Sequence, residues 1–229
     1  MPGLRGSPRH APLRGALVSV ALLLAACTVN LRPEYKMPHP LLQPMDAHVG
    51  LVLDAPLRHF AHEETRGGGN WKIELGPGHD KLFRNMFTAS FQSVQVFDSL
   101  DAARAASGVQ VLFEPAIDQY SFVTANETSG YWAVTIRYHI AVLDPAGAQV
   151  DSLSMTGYGS SVGEHGSEAS LTAATRAAMR DAAAKFLVQM PRQGLAKKLL
   201  AGEKLSTADK AVVTQDVVET VPIDAAPGG

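Results

Sequence analysis

The sequence predicts an α+β fold: a mostly antiparallel sheet with two main helices packed on one face. Three observations carry that expectation. Residues 131–144 alternate over a full strand length, with Val134, Ile136, Tyr138, Ile140 and Val142 on one side and Thr135, Arg137 and His139 on the other. From Asp80 onward, Leu82, Phe83, Met86, Phe87 and Phe91 recur at the three- and four-residue spacing of an amphipathic helix. Residues 167–190 place Leu171, Ala174, Ala178, Ala182 and Phe186 at helical spacing before Pro191. An all-β sandwich is the competing arrangement.

The remaining elements follow in chain order. Residues 48–54 (HVGLVLD) are a short β-rich run, and 71–75 (WKIEL) alternate as a second strand. Between them, 58–70 are polar and end in Gly67-Gly68-Gly69, which reads as a mobile loop. Gly76-Pro77-Gly78 is expected to break the second strand ahead of the first helix. Residues 93–97 (SVQVF) and 109–122 give further strands, with Pro115 marking a bulge or an edge in the latter. Asp144-Pro145-Ala146-Gly147 has turn chemistry and joins the 131–144 strand to 149–161 as an antiparallel hairpin. Glycines 157, 159, 163 and 166 then loosen the chain, and Ser167 offers an N-cap with Glu168 at the positive end of the helix dipole. So many alanines in this last helix imply that its backbone lies close on a sheet. Residues 193–205 suggest a short basic helix, and the end of the chain carries no apolar stripe. The folded domain is therefore placed at 47–190, followed by a basic segment and flexible tail at 191–229, with no internal repeat.

Composition narrows the function classes. The chain is 229 residues long and 46% hydrophobic, enough for one sizeable core. Residues 1–26 carry Arg5, Arg9 and Arg14 and no acid; removing them leaves 17 basic residues against 22 acids and moves the formal charge from −2 to −5. That balance does not suggest nucleic-acid binding, which needs clustered Lys and Arg. The three arginines precede an apolar run, residues 16–26 (ALVSVALLLAA), in the layout of a secretory signal. The run is too short to span a bilayer core, which takes roughly 20 residues.

It ends in Leu24-Ala25-Ala26-Cys27, which resembles the lipobox of bacterial lipoproteins. The resemblance implies cleavage before Cys27 and a lipid on its thiol, with residues 1–26 as signal peptide; an ordinary secreted protein whose apolar run precedes a cysteine is the alternative. Cys27 is the only cysteine, so no internal disulfide can form. Thr28 follows it rather than the Asp that retains lipoproteins in the inner membrane under enteric-type sorting, and the resemblance thus implies an outer-membrane protein facing the periplasm. Prolines 33, 38, 40 and 44 make 27–46 read as an extended tether. Beyond the lipobox, the opening VGLVLD strand, the YWAVTIRYHIAVLDPAG and VDSLSMTGYG hairpin and the closing Ala-rich helix resemble the small α/β envelope lipoproteins over about residues 47–190. That group includes the YajG-like lipoproteins, the auxiliary lipoproteins of lipid-transport systems and domains similar to the N-terminal domain of TolB. The resemblance implies a binding or assembly subunit with no catalytic set to carry over and only Cys27 as a site residue.

His59, His62, Glu63 and Glu64 share one polar stretch, but their order differs from the helical HExxH zinc pattern, and a solvated loop is expected. Gly67-Gly68-Gly69 lacks the GxxxxGK[ST] phosphate-loop pattern and reads as a flexible joint. Gly159-Ser160-Ser161-Val162-Gly163 meets GxSxG spacing at Ser161, yet His165 is the only later histidine and only Glu164 precedes it, so a Ser, acid, His order cannot be built. His139 is expected to be a surface or sheet-packing residue. Asn126-Glu127-Thr128 matches a glycosylation sequon that carries no weight in a bacterial lipoprotein. Tyr120, Phe122, Tyr131 and Trp132 lie near the ends of one hairpin, where some form core and others could form a docking patch. The expectation is a non-catalytic envelope protein with no metal or cofactor, anchored to the membrane through Cys27 and binding another envelope protein or polymer by a sheet edge or by its loops and aromatic ends. A lipid-carrying accessory subunit and a small hydrolase are the alternatives.

Overall fold

The computed structural model describes residues 28–33, 42–163 and 167–209. The signal segment 1–26, Cys27, Glu164, His165 and the end of the chain lie outside the described residues.

The main sheet has five strands: β2 (Met45–Val52), β5 (Phe91–Phe97), β6 (Val111–Val123), β7 (Tyr131–Leu143) and β8 (Gln149–Val162), in the order β5-β2-β6-β7-β8. Helices pack on the sheet as expected, but the sheet is mixed. β5, β2 and β6 run parallel and only β6, β7 and β8 antiparallel. The cause is connectivity: a helical segment lies between β2 and β5 and another between β5 and β6, and crossover connections of that kind return the chain in the same direction. The alternation read at 131–144 holds, since Val134, Ile136, Tyr138, Ile140 and Val142 are at most 2% exposed. Pro115 lies beyond Phe113, the last β6 residue paired with β2, and the register shift in β6 falls between Ile117 and Gln119. At the hairpin turn Gly147 donates to the Asp144 carbonyl (2.8 Å) with a positive φ of 86°, and the Asp144 carboxylate accepts from the Ala148 N–H (2.8 Å).

A second sheet occupies the stretch expected to be a mobile loop. β3 (Ala61–Arg66) and β4 (Gly69–Glu74) form a hairpin, and β1 (Thr28–Leu31) adds parallel to β4 on its other side. Gly67 and Gly68 are a two-residue turn with φ of 59° and 79°, the left-handed pair that a tight hairpin requires. The strand escaped sequence reading because the residues it turns inward, His62, Glu64 and Arg66, are polar. The first residues of the expected tether are thus strand, with Leu31 only 2% exposed. Between β2 and β3, the short helix α1 (Ala55–Arg58) is capped by the Asp54 carboxylate, which accepts from the Leu57 N–H (2.9 Å).

Helix α2 (Gly76–Ser90) starts at the Gly-Pro-Gly expected to be a break. Pro77 sits in the first turn, where its missing N–H is not needed. Gly76 is required by close packing, because a Cβ there would lie 2.0 Å from the Arg58 carbonyl oxygen. Leu82, Phe83, Met86 and Phe87 form its buried face, and Phe91, read as part of the helical stripe, is the first residue of β5. Helix α3 (Leu100–Arg104), capped by Ser99, joins Val52, Val109, Leu112 and Leu143 in a small cluster separate from the main core. Helix α4 (Ser167–Gln189) contains Ser167 as its first residue and packs on β7 and β8. The packed body continues past 190: Leu195, Ala196 and Leu199 of α5 (Gly194–Leu200) and Leu205 are buried. Gln110 fastens this segment by donating to the Leu199 (2.9 Å) and Glu203 (3.1 Å) carbonyls while accepting from the His48 N–H.

α4 meets β8 backbone to backbone. A Cβ on Gly157 would lie 2.1 Å from the Ala178 carbonyl oxygen, and one on Gly159 2.1 Å from that of Ala174. Glycines read as loosening the chain are therefore the floor on which the alanine helix rests. Gly157→Ala is expected to cost about 1–3 kcal/mol of stability through overpacking, whereas Gly194→Ala, whose Cβ meets nothing within 4 Å, should leave the urea midpoint nearly unchanged.

His79 is fully buried in α2 between two fixed partners. Its Nδ1–H donates to the Leu75 carbonyl (2.8 Å), which leaves Nε2 to accept from the Tyr138 hydroxyl (2.6 Å). Burial pushes its pKa down to about 4, against the partial support of the Leu75 carbonyl. The unfolded chain therefore binds a proton near pH 6.5 that the folded protein refuses until about pH 4. Its contribution to stability is full above pH 6.5, falls by at most about 1.4 kcal/mol per pH unit through that window, and stops changing below about pH 4. Urea melts at pH 7 and 5 and the His79 ring resonances, which should stay neutral at pH 5.5, check this.

Candidate binding face

In β6, β7 and β8 the pleat sends every second residue away from the helices. The cross-strand rows on that outer side are Ala116–His139–Ser154, Gln119–Arg137–Thr156, Ser121–Thr135–Tyr158 and Val123–Ala133–Ser160, and the row closes with the pair Tyr131–Val162. Arg137, Ser154, Ser160, Tyr131 (48% exposed), Tyr158 (56%) and Val162 (60%) stand open to solvent. Arg137 has the exposed Asp118 at 3.7 Å, a pairing that contributes little. The result is a flat, hydroxyl-rich surface carrying a cation, a histidine and two tyrosines.

The β8 edge beside this face is closed by side chains from α4. The Asp181 carboxylate accepts the Tyr158 N–H (2.8 Å), the Lys185 ammonium donates to the Thr156 carbonyl (2.9 Å), and the Ser170 hydroxyl donates to the Val162 carbonyl (3.2 Å). Asp181 and Lys185 pair with each other at 2.6 Å, and the Lys185 ammonium sits 4.8 Å from the centre of the Tyr158 ring. These contacts occupy backbone groups through which another strand would add to residues 156–162. The only sequence signal was an Asp and a Lys four apart on one helix, which is common on solvated surfaces.

The residues singled out in the sequence are scattered. His59 ends α1 with its Nδ1 bonded to the Ala55 carbonyl (2.9 Å), while His62 lies inward on β3 with its ring 5.0 Å from that of Tyr120. His62 Nε2 meets Glu64 at 2.9 Å, and Glu64 in turn accepts from Arg66 Nε (2.5 Å). Burial alone would raise the Glu64 pKa, but the bonds from His62 and Arg66 outweigh it and hold the carboxyl below its ordinary value. Glu63 points to the other side, paired with Lys72 (2.9 Å). The stretch is thus a salt-bridged strand, and among the described residues no group of three or more His, Cys, Asp or Glu could hold a metal ion. Ser161 lies within β8 opposite Trp132, not at a strand-to-helix elbow, and its hydroxyl is 3.4 Å from the Val162 carbonyl. Glu127 of the sequon closes a turn by accepting from the Thr124 N–H (2.7 Å) and hydroxyl (2.8 Å) and pairs with Arg66 (2.9 Å).

Of the four aromatics, Tyr120, Phe122 and Trp132 are core and Tyr131 is exposed. Phe122 and Trp132 pack with Trp71 of the small sheet at 5.6 and 5.4 Å, which holds that sheet against the far end of β6 and β7. The Thr175 hydroxyl donates to the Leu171 carbonyl, so the Tyr120 hydroxyl donates to Thr175 Oγ1 (2.7 Å); burial pushes that phenol well above its ordinary pKa.

A cleft of about 250 Å³ beside α1 is lined by Arg58, His59, Phe60, Ala61, Lys72, Glu74 and Pro77. Its charges are already matched. Arg58 meets Asp98 (2.6 Å) and Asp80 (3.2 Å), and Glu74 meets Arg32 (2.5 Å). No helix among the described residues is long and apolar enough to cross a membrane.

No family model matches the chain, and no curated protein matches it. Among solved structures it is similar to protein XCC0632 of Xanthomonas campestris, assigned to family DUF330, with a TM-score of 0.49 and 12% identity over 74% of this chain and 98% of that one. It is similar also to a candidate lipoprotein of Caulobacter crescentus CB15, at TM-score 0.35 and 17% identity over 68% of this chain and 92% of the other. A third likeness is to PelC of Paraburkholderia phytofirmans, a dodecamer, at TM-score 0.37 and 16% identity over 66% and 93%. None of these likenesses assigns a role to a residue of this chain.

If Asp181 closes the edge, Asp181→Ala should speed amide exchange at Tyr158 in hydrogen-exchange experiments and cost about 0.5–1.5 kcal/mol. It should also raise self-association at high concentration, measured by sedimentation.

Proposed function

We propose that the protein is a non-catalytic accessory subunit of the bacterial envelope, anchored to the outer membrane by lipid on Cys27, that presents the open face of β6–β8 to another envelope component. The observation that carries this reading is the contrast between the two surfaces of the antiparallel half. Its edge is closed by Asp181, Lys185 and Ser170, while its outer face leaves Arg137, Tyr131 and Tyr158 in solvent. Tyr and Arg are the residue types enriched in protein interfaces, where they bring contact area and directed hydrogen bonds at modest entropic cost. The sequence left open a sheet edge or the loops and aromatic ends of the hairpins; the side chains on β8 count against strand addition there, and the outer face is a further surface that the strand alternation presents. The lipobox, Leu24-Ala25-Ala26-Cys27, supports the compartment.

A lipid carrier would need an apolar groove between the helices and the sheet. That layer holds Phe87 in ring contact with Phe91, Phe113 and Phe186, and Phe83 against Tyr138, each at most 5% exposed, and α4 sits directly on glycine. The space is filled. A hydrolase would need a base beside Ser161, and the described histidines lie elsewhere: His48 on β2, His59 on the Ala55 carbonyl, His62 with Glu64, His79 with Tyr138, and His139 on the outer face across from Ala116 and Ser154.

The test is recovery of partners from detergent-solubilised envelopes. Wild-type protein should retain a partner that Arg137→Glu with Tyr158→Ser loses, while Lys197→Glu on α5 retains it and Cys27→Ala shifts the protein out of the membrane fraction. Recovery insensitive to the face variants would overturn the reading.

A further inference from the structure

We propose that one end of the domain rests directly on the bilayer surface, so that β7 stands up from the membrane and the open face looks sideways. This rests on the acylation of Cys27 proposed above.

The first ground is the position of β1. Thr28, the residue bonded to Cys27, is already in register with Asn70 in the small sheet. Neighbouring Cα atoms are about 3.8 Å apart, so the lipid attachment point lies within one residue of the folded surface. An extended tether of residues 28–46 would instead have given a reach of about 60 Å. The anchor therefore selects one end of the molecule.

The second ground is what that end exposes. The Arg66–Gly69 pair follows Thr65–Asn70 in the hairpin, and Arg66 reaches Glu127 in the loop between β6 and β7 (2.9 Å). Gly163 donates to the Gly130 carbonyl (3.0 Å), which brings the end of β8 to the same loop. Here Tyr131 and Val162 sit opposite each other with 48% and 60% of their surfaces in water. An aromatic ring with a hydroxyl beside an aliphatic side chain suits the boundary between headgroups and acyl chains. Arg66, a cation at this end of the described residues, is engaged by Glu64 and Glu127, so the surface it fits is that of zwitterionic phospholipid rather than a strongly anionic one. The Asp144–Gly147 turn, at the other end of the 13-residue β7, then stands about 40 Å away from the membrane.

The test uses the full chain exported and acylated in bacteria, purified in detergent and reconstituted in phosphatidylcholine–phosphatidylethanolamine vesicles. Acylation occupies the native thiol, so Asn126→Cys at the proposed membrane end and Ala146→Cys at the far turn each accept one fluorophore. Quenching by phosphatidylcholine carrying a nitroxide should be several-fold stronger at 126 than at 146, and the added pair Tyr131→Ser with Val162→Ser should shrink that contrast. Equal quenching at both positions in vesicle-bound, acylated protein would overturn the orientation. An N-terminal peptide found unmodified by mass spectrometry, with the protein in the aqueous fraction, would overturn the acylation reading and the orientation with it.

Discussion

The fold depends on one close approach, the backbone of α4 lying on Gly157 and Gly159 of β8. Where a helix meets a sheet through ordinary side chains, the axis stands about 10 Å off and can tilt or slide. Here Ala174 and Ala178 meet bare strand backbone, and a single methyl group at either glycine would overlap a carbonyl oxygen. That restriction fixes the helix along the strand. It brings Ser170, Asp181 and Lys185 level with the edge groups of Val162, Tyr158 and Thr156, one after another along the helix. Edge closure is thus a consequence of packing as much as a separate device.

A filled core on one side and a closed edge leave the outer face of β6–β8 as the broad sheet surface in contact with water. An antiparallel sheet tolerates this because its alternation separates apolar and polar residues cleanly. The parallel half cannot do the same, and α3 covers part of its outer side with the cluster around Val52, Val109 and Leu112. The two halves of the sheet therefore divide the work: the parallel half is covered in part on its outer side, and the antiparallel half presents a surface.

The small sheet closes one end of the main sheet. Trp71, Phe122 and Trp132 hold it on the end of β6 and β7, and the run His62, Glu64, Arg66 and Glu127 covers that aromatic cluster with matched charge. Because β1 joins this sheet, Thr28–Leu31 belong to the packed body.

The sequence by itself determined the elements whose periodicity is strong: the two long helices, the β7 strand with its inward face, and the hairpin turn at Asp144 to Gly147. In it the GxSxG spacing at Ser161 is not followed by an acid and a histidine in Ser, acid, His order, and the histidines at 59 and 62 do not match the HExxH order. Only the tertiary structure decided the direction of the strands, because local alternation is the same in parallel and antiparallel pairs. It likewise turned the polar stretch before Gly67 into a strand, by stacking His62 and Arg66 over buried aromatics that lie more than fifty residues away. The role of Gly157 and Gly159 was hidden for the same reason. A glycine in a sequence marks freedom or close contact equally well, and which of the two holds is settled by what packs against it.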